Sequence, residues 1–353
     1  MKTYYVGMDV HGASIVIVVL NGVGKVVSSG IIETGAESAR GFLKQLRGKV
    51  YVTFEEGTQA SWLYEVVRPQ VTEVVVCDPR HNKLLTAGNK SDRVDARKLA
   101  ELLRNGSLRA VYHGDKGVRT LKELVRNYDC LVSDTTRVKN RLKAMFRGRA
   151  IACSRNEVYR RDQRKQWLEK LREPGAQQRA HSLYEQLAAL KPLRQEAKRE
   201  MIKEARRQTA YPVLMSVPQF GPVSVAQLIA VVATPFRFRN KRLFWSYVGL
   251  AVVTRTSAEY VVVNGVPRRS NRPLGTRGLN RNHNHVLKRV FKSAASSACK
   301  RGPFKAGYET RVSQGMDPSL ARLTVARQLA ATVLAIWKRG EVFAPERIKQ
   351  QVA

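Results

Sequence analysis

At 353 residues and 43% hydrophobic content, the chain has room for two or three domains and enough apolar residues to bury sizeable cores, which excludes a disordered chain. Its 63 Lys and Arg stand against 28 Asp and Glu, giving a net charge of +35 and a pI near 10.6, and such a balance implies a polyanionic partner. The basic residues run through nearly the whole chain rather than beside one apolar segment, which favours nucleic acid over a membrane surface.

The N-terminus, Met1-Lys2-Thr3-Tyr4-Tyr5, leads straight into a strand pattern, and no apolar stretch is expected to approach the ~20 residues of a bilayer span. Tyr4, Val6 and Met8 alternate before Asp9, Ile15 to Leu20 is a second apolar run, and Lys25 to Ile32 a third, with Asn21-Gly22 as a tight-turn signal. A helix from Ala36 to Leu46, a strand from Val50 to Glu55, a helix from Ser61 to Arg68 and a strand from Val71 to Val76 follow. Three antiparallel strands and then alternating helix and strand is the element order of a ribonuclease-H-like domain. A further helix is expected from Ser91 to Arg104, with Asp92 and Asp95 on one side of its first turn.

The middle of the chain changes character. Leu121, Leu124, Tyr128, Leu131, Thr135, Val138, Leu142 and Met145 recur at spacings of three and four, a coiled-coil seam, and a second helical stretch from Arg179 to Arg207 is expected to break at Pro192. Such heptads fit either a hairpin packed on itself or an oligomerisation arm. From Tyr211 the pattern reads helix, Pro-containing turn, helix through Val232, in the manner of a helix-hairpin-helix element, with Gln219 where such turns usually carry a glycine. His283-Asn284-His285 reads as the polar start of a helix from Val286 to Ala298. Cys77, Cys130, Cys153 and Cys299 lack zinc-site spacing and are expected as buried or half-buried thiols.

Phosphodiester cleavage calls for divalent ions, and hard ions are held by carboxylates. In so basic a chain, acids at strand ends and on a first helical turn stand out: Asp9, Glu55, Asp92 and Asp95, with Glu56 as rival to Glu55. Adjacent first and fourth strands would bring Asp9 and Glu55 side by side under the helical pair. The bland alternative is a strand cap and two acids favouring a helix N-terminus.

Gly7-Met8-Asp9-Val10-His11, Phe54-Glu55-Glu56-Gly57-Thr58 and Asn89 to Ala100 resemble the DEDD domain of the insertion sequence 110 family of transposases, related to the Piv invertases. Ser216 to Pro222, Arg237-Phe238, Tyr247 to Leu250 and Thr256-Ser257-Ala258 resemble its C-terminal half. The resemblance implies a ribonuclease-H-like (RuvC-like) α/β catalytic domain over 1–112, a helical coiled-coil arm over 113–210 and a mainly helical transposase domain over 211–353. It implies a metal tetrad of Asp9, Glu55, Asp92 and Asp95 for Mg²⁺ or Mn²⁺, and Ser257 as the nucleophile that forms a 5′-phosphoserine linkage to DNA. Where many family members have Ser-Gly, this chain has Ser257-Ala258, and Ser270 lies nearby. It further implies double-stranded donor and target DNA, a structured non-coding guide RNA, a homo-oligomer (dimer or tetramer), and a cytoplasmic, nucleoid-associated bacterial setting with no membrane partner.

Arg137, Lys139, Arg141, Lys143, Arg147 and Arg149, then Arg160, Arg161, Arg164 and Lys165, and later Arg268, Arg269, Arg272, Arg277 and Arg281 are expected to have few acidic neighbours and to meet phosphate. No histidine is placed by the sequence to activate Ser257. Two alternatives remain open: a hydrolytic ribonuclease-H-like nuclease or resolvase without a serine nucleophile, and a non-enzymatic basic RNA-binding protein.

Overall fold

A computed structural model describes residues 2–79, 91–111, 113, 118–153, 156–254, 260–269 and 276–351. The chain forms two compact units, Met1–Gly114 and Asp115–Ala353.

Unit 1 is built on β1 (Thr3–Val10), β2 (Ser14–Asn21), β3 (Val26–Glu33), α1 (Ala36–Lys44), β4 (Lys49–Glu55), α2 (Ala60–Val67), β5 (Glu73–Cys77) and α3 (Asp92–Arg104). The sheet order is β3-β2-β1-β4-β5, with β1 antiparallel to β2 and parallel to β4. Val6, Met8, Ile15, Ile17, Val52 and Phe54 pack with Ala39, Leu43, Leu63 and Val66 of α1 and α2. The opposite face of β2 packs Val16, Val18 and Leu20 against Ala96 and Ala100 of α3. Cover on both faces explains why the apolar run in β2 is unbroken.

The β2–β3 turn differs in detail from the expected tight turn. Asn21 opens it, its Oδ1 accepting from the amides of Val23 (3.2 Å) and Lys25 (2.9 Å). The left-handed position falls on Gly24 (φ +87°) instead of on the Asn-Gly pair, the arrangement of a hairpin with one extra residue rather than a two-residue loop.

Unit 2 opens with α4 (Arg119–Arg147), α5 (Arg164–Glu169) and α6 (Pro174–Arg206). Helices α4 and α6 pack along each other. Their outer halves share with Trp167 of α5 a cluster of Val138, Leu142, Phe146, Ala180 and Tyr184, whereas Leu121, Val125, Met201 and Ala205 at the root belong to the main core. Contrary to the expected break, α6 runs through Pro192. Proline removes one hydrogen bond and crowds the preceding turn, but α6 is anchored in packed clusters on either side of it.

Then follow α7 (Ala210–Met215), α8 (Pro222–Val232), α9 (Lys241–Tyr247), β6 (Val252–Thr254), β7 (Tyr260–Val263), β8 (Val266–Arg269), β9 (Thr276–Leu279), α10 (His285–Ala298), α11 (Lys305–Ser313) and α12 (Pro318–Arg339). β6 pairs with β9 and β7 with β8, both antiparallel. In the turn between α7 and α8, Gln219 takes the left-handed conformation (φ +74°) usually left to glycine. Its amide donates to the Arg301 carbonyl (3.3 Å) and its carbonyl accepts from Arg301 Nε (3.4 Å), a tie that a glycine could not make.

One sequence expectation is corrected by α12, which at 22 residues is long and apolar enough to cross a membrane by length and composition. Its apolar residues Val325, Ala326, Leu329, Ala330 and Val333 are buried in the core of unit 2 beside Phe291 and Leu287 of α10. The cysteines also differ in one case, since Cys130 is exposed while Cys77, Cys153 and Cys299 are buried.

Candidate metal centre

Tyr5 stacks on Tyr51 at 5.5 Å across the β1–β4 pair, which fixes the faces of both strands. By the two-residue alternation of strands, Asp9 and Glu55 lie on that same face, at neighbouring positions one step beyond the Met8–Phe54 pair. α3 also covers this face, and Gly7 sets how closely. A Cβ at Gly7 would lie 2.0 Å from the Ala96 carbonyl oxygen and 2.6 Å from the Ala100 amide nitrogen. The missing side chain lets the helix backbone rest directly on β1, two residues before Asp9.

The start of α3 is set locally. Ser91 is the N-cap, its Oγ accepting from the Val94 amide at 3.3 Å, and Asp92 and Asp95 occupy the first turn where acids are favoured. His11, just past β1, has its Nε2 at 3.3 Å from Asp9 Oδ2 and 3.6 Å from Asp92 Oδ2. One ligand atom from each of Asp9, His11 and Asp92 lies within 4.8 Å of the others, close enough to share a cation. Asp95 and Glu55 are outside that tight group. Burial raises the pKa of the Asp9 carboxyl, His11 pulls it down, and the negative charges of Asp92 and Asp95 push it up again. Asp95 Oδ1 is buried with no hydrogen-bond partner, a cost that a cation would offset.

Glu56, the rival to Glu55, is otherwise engaged. Its Oε2 is 2.6 Å from His113 Nε2, and the His113 ring stacks on Tyr64 at 5.1 Å. The segment before His113 is tied to β5 by a Cys77–Ala110 bridge and by the Val111 amide donating to the Val76 carbonyl (2.7 Å). His11 and His113 are the residues that sequence reasoning missed. His11 stood inside the Gly7-to-His11 segment; His113 carried no local signal, since its partner is 57 residues away.

Ser257 and Ser270 lie outside the described residues, as do Arg272 and the Asn89-Lys90 start of the third motif. The described C-terminal motifs hold the scaffold. Arg237 donates to the carbonyls of Val231 (3.1 Å) and Val232 (3.0 Å) at the end of α8 and lies over the Tyr247 ring at 5.1 Å. Ser216 Oγ donates to Val213 O (2.6 Å) and accepts from the Phe343 amide (2.8 Å). Asn284 caps α10 through Leu287 N (3.0 Å), as the polar-start reading expects, and the rings of His283 and His285 are 4.6 Å apart.

The expected scarcity of acidic neighbours along the arm is corrected at four arginines. Arg137 pairs with Asp134, Arg149 with Glu173, Arg160 with Asp162 and Arg164 with Glu185. Asp134 and Asp162 lie three and two residues from their arginines, whereas Glu173 and Glu185 come from more than twenty residues away, a distance that residue counts along the chain do not bridge.

A mixed α/β unit with carboxylates and an imidazole gathered over its central strand, joined in one chain to a basic, mostly helical unit, has the parts of a metal-dependent enzyme acting on nucleic acid. The sequence matches the DEDD transposase domain of the IS110 family over residues 6–149 and the transposase IS116/IS110/IS902 family over residues 211–309. It is 23% identical over 332 residues to a Sinorhizobium fredii protein named "Putative transposase y4qE", covering 89% of this chain and 82% of that relative. The chain belongs to the IS110 family of transposases, enzymes that cut and rejoin DNA.

Proposed function

We propose that the chain is a DNA recombinase of an insertion sequence in which Asp9, Glu55, Asp92 and Asp95, on a ribonuclease-H-like (RuvC-like) fold, hold divalent Mg²⁺ or Mn²⁺, and Ser257 attacks the DNA. The observation that carries it is the convergence of Asp9, His11 and Asp92 beside the orphaned Asp95 oxygen. The donor set is mostly hard oxygen, as Mg²⁺ and Mn²⁺ prefer. A divalent cation bound there supplies charge neutralisation for a phosphate and its leaving oxygen. Asp9 and Asp92 provide the negative field, His11 orients Asp9, and the orphaned Asp95 oxygen completes the ligand side.

In the proposed step Ser257 Oγ bonds to phosphorus, the bond from phosphorus to the sugar 3′ oxygen breaks, the serine proton leaves to solvent and the 3′ oxygen takes up a proton. The phosphoserine ester retains the bond energy, so strands rejoin without a nucleotide cofactor. Acids and serine come from different units, so the chemistry depends on an assembled complex, for which a homo-oligomer built on the helical arm is the proposal. A structured guide RNA that pairs with donor and target supplies sequence choice in this proposal, resting on the family resemblance alone.

Trapping tests the serine. Nicked substrate DNA and Mg²⁺ should yield a covalent protein–DNA adduct that Ser257→Ala abolishes. Free-ended cut products from that variant would instead establish attack by water and a hydrolytic nuclease.

A further inference from the structure

In unit 2, β7 pairs with β8, and none of residues 262–268 belongs to the helical core. Val263 pairs with Val266 and Val262 with Pro267 across an Asn264-Gly265 loop with φ +50° and +75°, the two left-handed residues of a type I′ turn. Every residue from Val262 to Arg268 is exposed, with Val262 at 72% and Val266 at 56%. Consecutive strand residues point to opposite faces, so the exposure of both Val262 and Val263 leaves each face of the ribbon's outer half uncovered among the described residues. A two-stranded ribbon alone in water is marginally stable, and apolar side chains exposed together mark a surface that a partner covers.

Charge and shape identify the partner. From Tyr260 to Tyr308 the chain holds eleven Lys and Arg and no Asp or Glu. A second copy would set this acid-free segment against its own like charge, whereas a polyanion complements it. The major groove of B-form DNA, about 12 Å wide, admits a two-stranded ribbon, and its thymine methyls offer apolar contact. The major groove of an RNA duplex is too deep and narrow for side chains to read.

We propose that the β7–β8 ribbon enters the major groove of duplex DNA, with Val262 and Pro267, which pair across one face, against base edges and Arg268 on a flanking phosphate. This contact stands apart from the metal chemistry, needing neither the acidic cluster nor Ser257.

The test is photo-crosslinking of the full-length chain carrying Val262→p-benzoylphenylalanine to a mixed-sequence DNA duplex in EDTA, which prevents cutting. A light-dependent protein–DNA adduct is expected, much stronger than from the same group at Val23, an exposed position (84%) in unit 1. Arg268→Ala should weaken duplex binding several-fold and reduce the slope of log affinity against log salt by about 1. A protein–protein adduct, an adduct with duplex RNA only, equal yield from Val23, or an unchanged salt slope would each overturn the ribbon contact. An unsubstituted chain that binds no duplex overturns it together with DNA binding itself, whereas loss of cutting with crosslinking intact strikes only the metal proposal.

Discussion

The two units divide the charge of the chain very unequally. Unit 1 has fifteen Lys and Arg against eleven Asp and Glu, a net of +4, while unit 2 has forty-eight against seventeen, a net of +31. Their acids behave differently as well. In unit 2 Asp134, Asp162, Glu173 and Glu185 are taken up by arginines. Among the described residues, the titratable neighbours of Asp9 are His11, Asp92 and Asp95, with no Lys or Arg among them. Carboxylates that repel each other with no guanidinium or ammonium partner among the described residues are an arrangement a bound cation stabilises, whereas acids held by guanidinium groups are part of the scaffold.

The sharpest way to break this contrast is to remove one carboxylate charge from unit 1. Asp9→Asn should reduce DNA cutting by about 10³-fold or more, since a metal supplies several kcal/mol to such a transition state, while duplex binding measured by gel shift stays unchanged. Equal losses of both would mean that Asp9 only supports the fold. Next comes the spacing of α3 over β1. Gly7→Ala should destabilise unit 1 by about 1–3 kcal/mol through overpacking against Ala96 and Ala100, and weaken Mn²⁺ binding because Asp92 and Asp95 move with the helix. An unchanged melting curve with unchanged Mn²⁺ affinity would refute it.

The choice between Glu55 and Glu56 is a finer test. Glu55→Gln should weaken Mn²⁺ binding, measured by calorimetry, about 10-fold or more, and Glu56→Gln, which loses only the partner of His113, distinctly less. The reverse ranking would make Glu56 the ligand. The smallest effect is expected in unit 2, where Gln227 donates to Asp129 Oδ1 at 2.7 Å and Arg289 approaches the same oxygen at 3.3 Å. Gln227→Ala should cost about 1 kcal/mol of stability by removing the shorter of the two donors to Asp129 and leave Mn²⁺ binding untouched. Burial pushes the Asp129 carboxyl up, against Arg289 and Gln227. A raised value means the folded chain holds the proton better than the unfolded one, so this contribution is present in acid and fades as pH rises through the raised value. Asp129→Asn should flatten that part of the stability profile, which urea titrations across the acid range would reveal.

Much of unit 1 was legible in the sequence because its signals are local. Alternation in Tyr4-Val6-Met8, the apolar run of Ile15 to Leu20 and the Ser91 cap each act within a few residues, and every predicted element of the sheet is present within a residue or two of its bounds. The four acids were singled out by their positions at strand ends and on a first helical turn. In unit 2 local rules misled twice: Pro192 did not stop α6, and Arg149 and Arg164 of the arm found acids more than twenty residues away. Asn264-Gly265 carried the same turn signal as Asn21-Gly22, and there the left-handed pair does form.

By itself the sequence determined the charge, the strand and helix periods, the family and the identity of the acids, since all of these depend on which residues occur and at what spacing. Only tertiary structure decided that His11 turns back onto Asp9 and Asp92, that Glu56 is claimed by His113, and that the missing side chain of Gly7 sets α3 against the sheet. Each of those contacts joins groups brought together by strand pairing and helix packing. Their energies depend on distances of a few ångströms that no local pattern encodes.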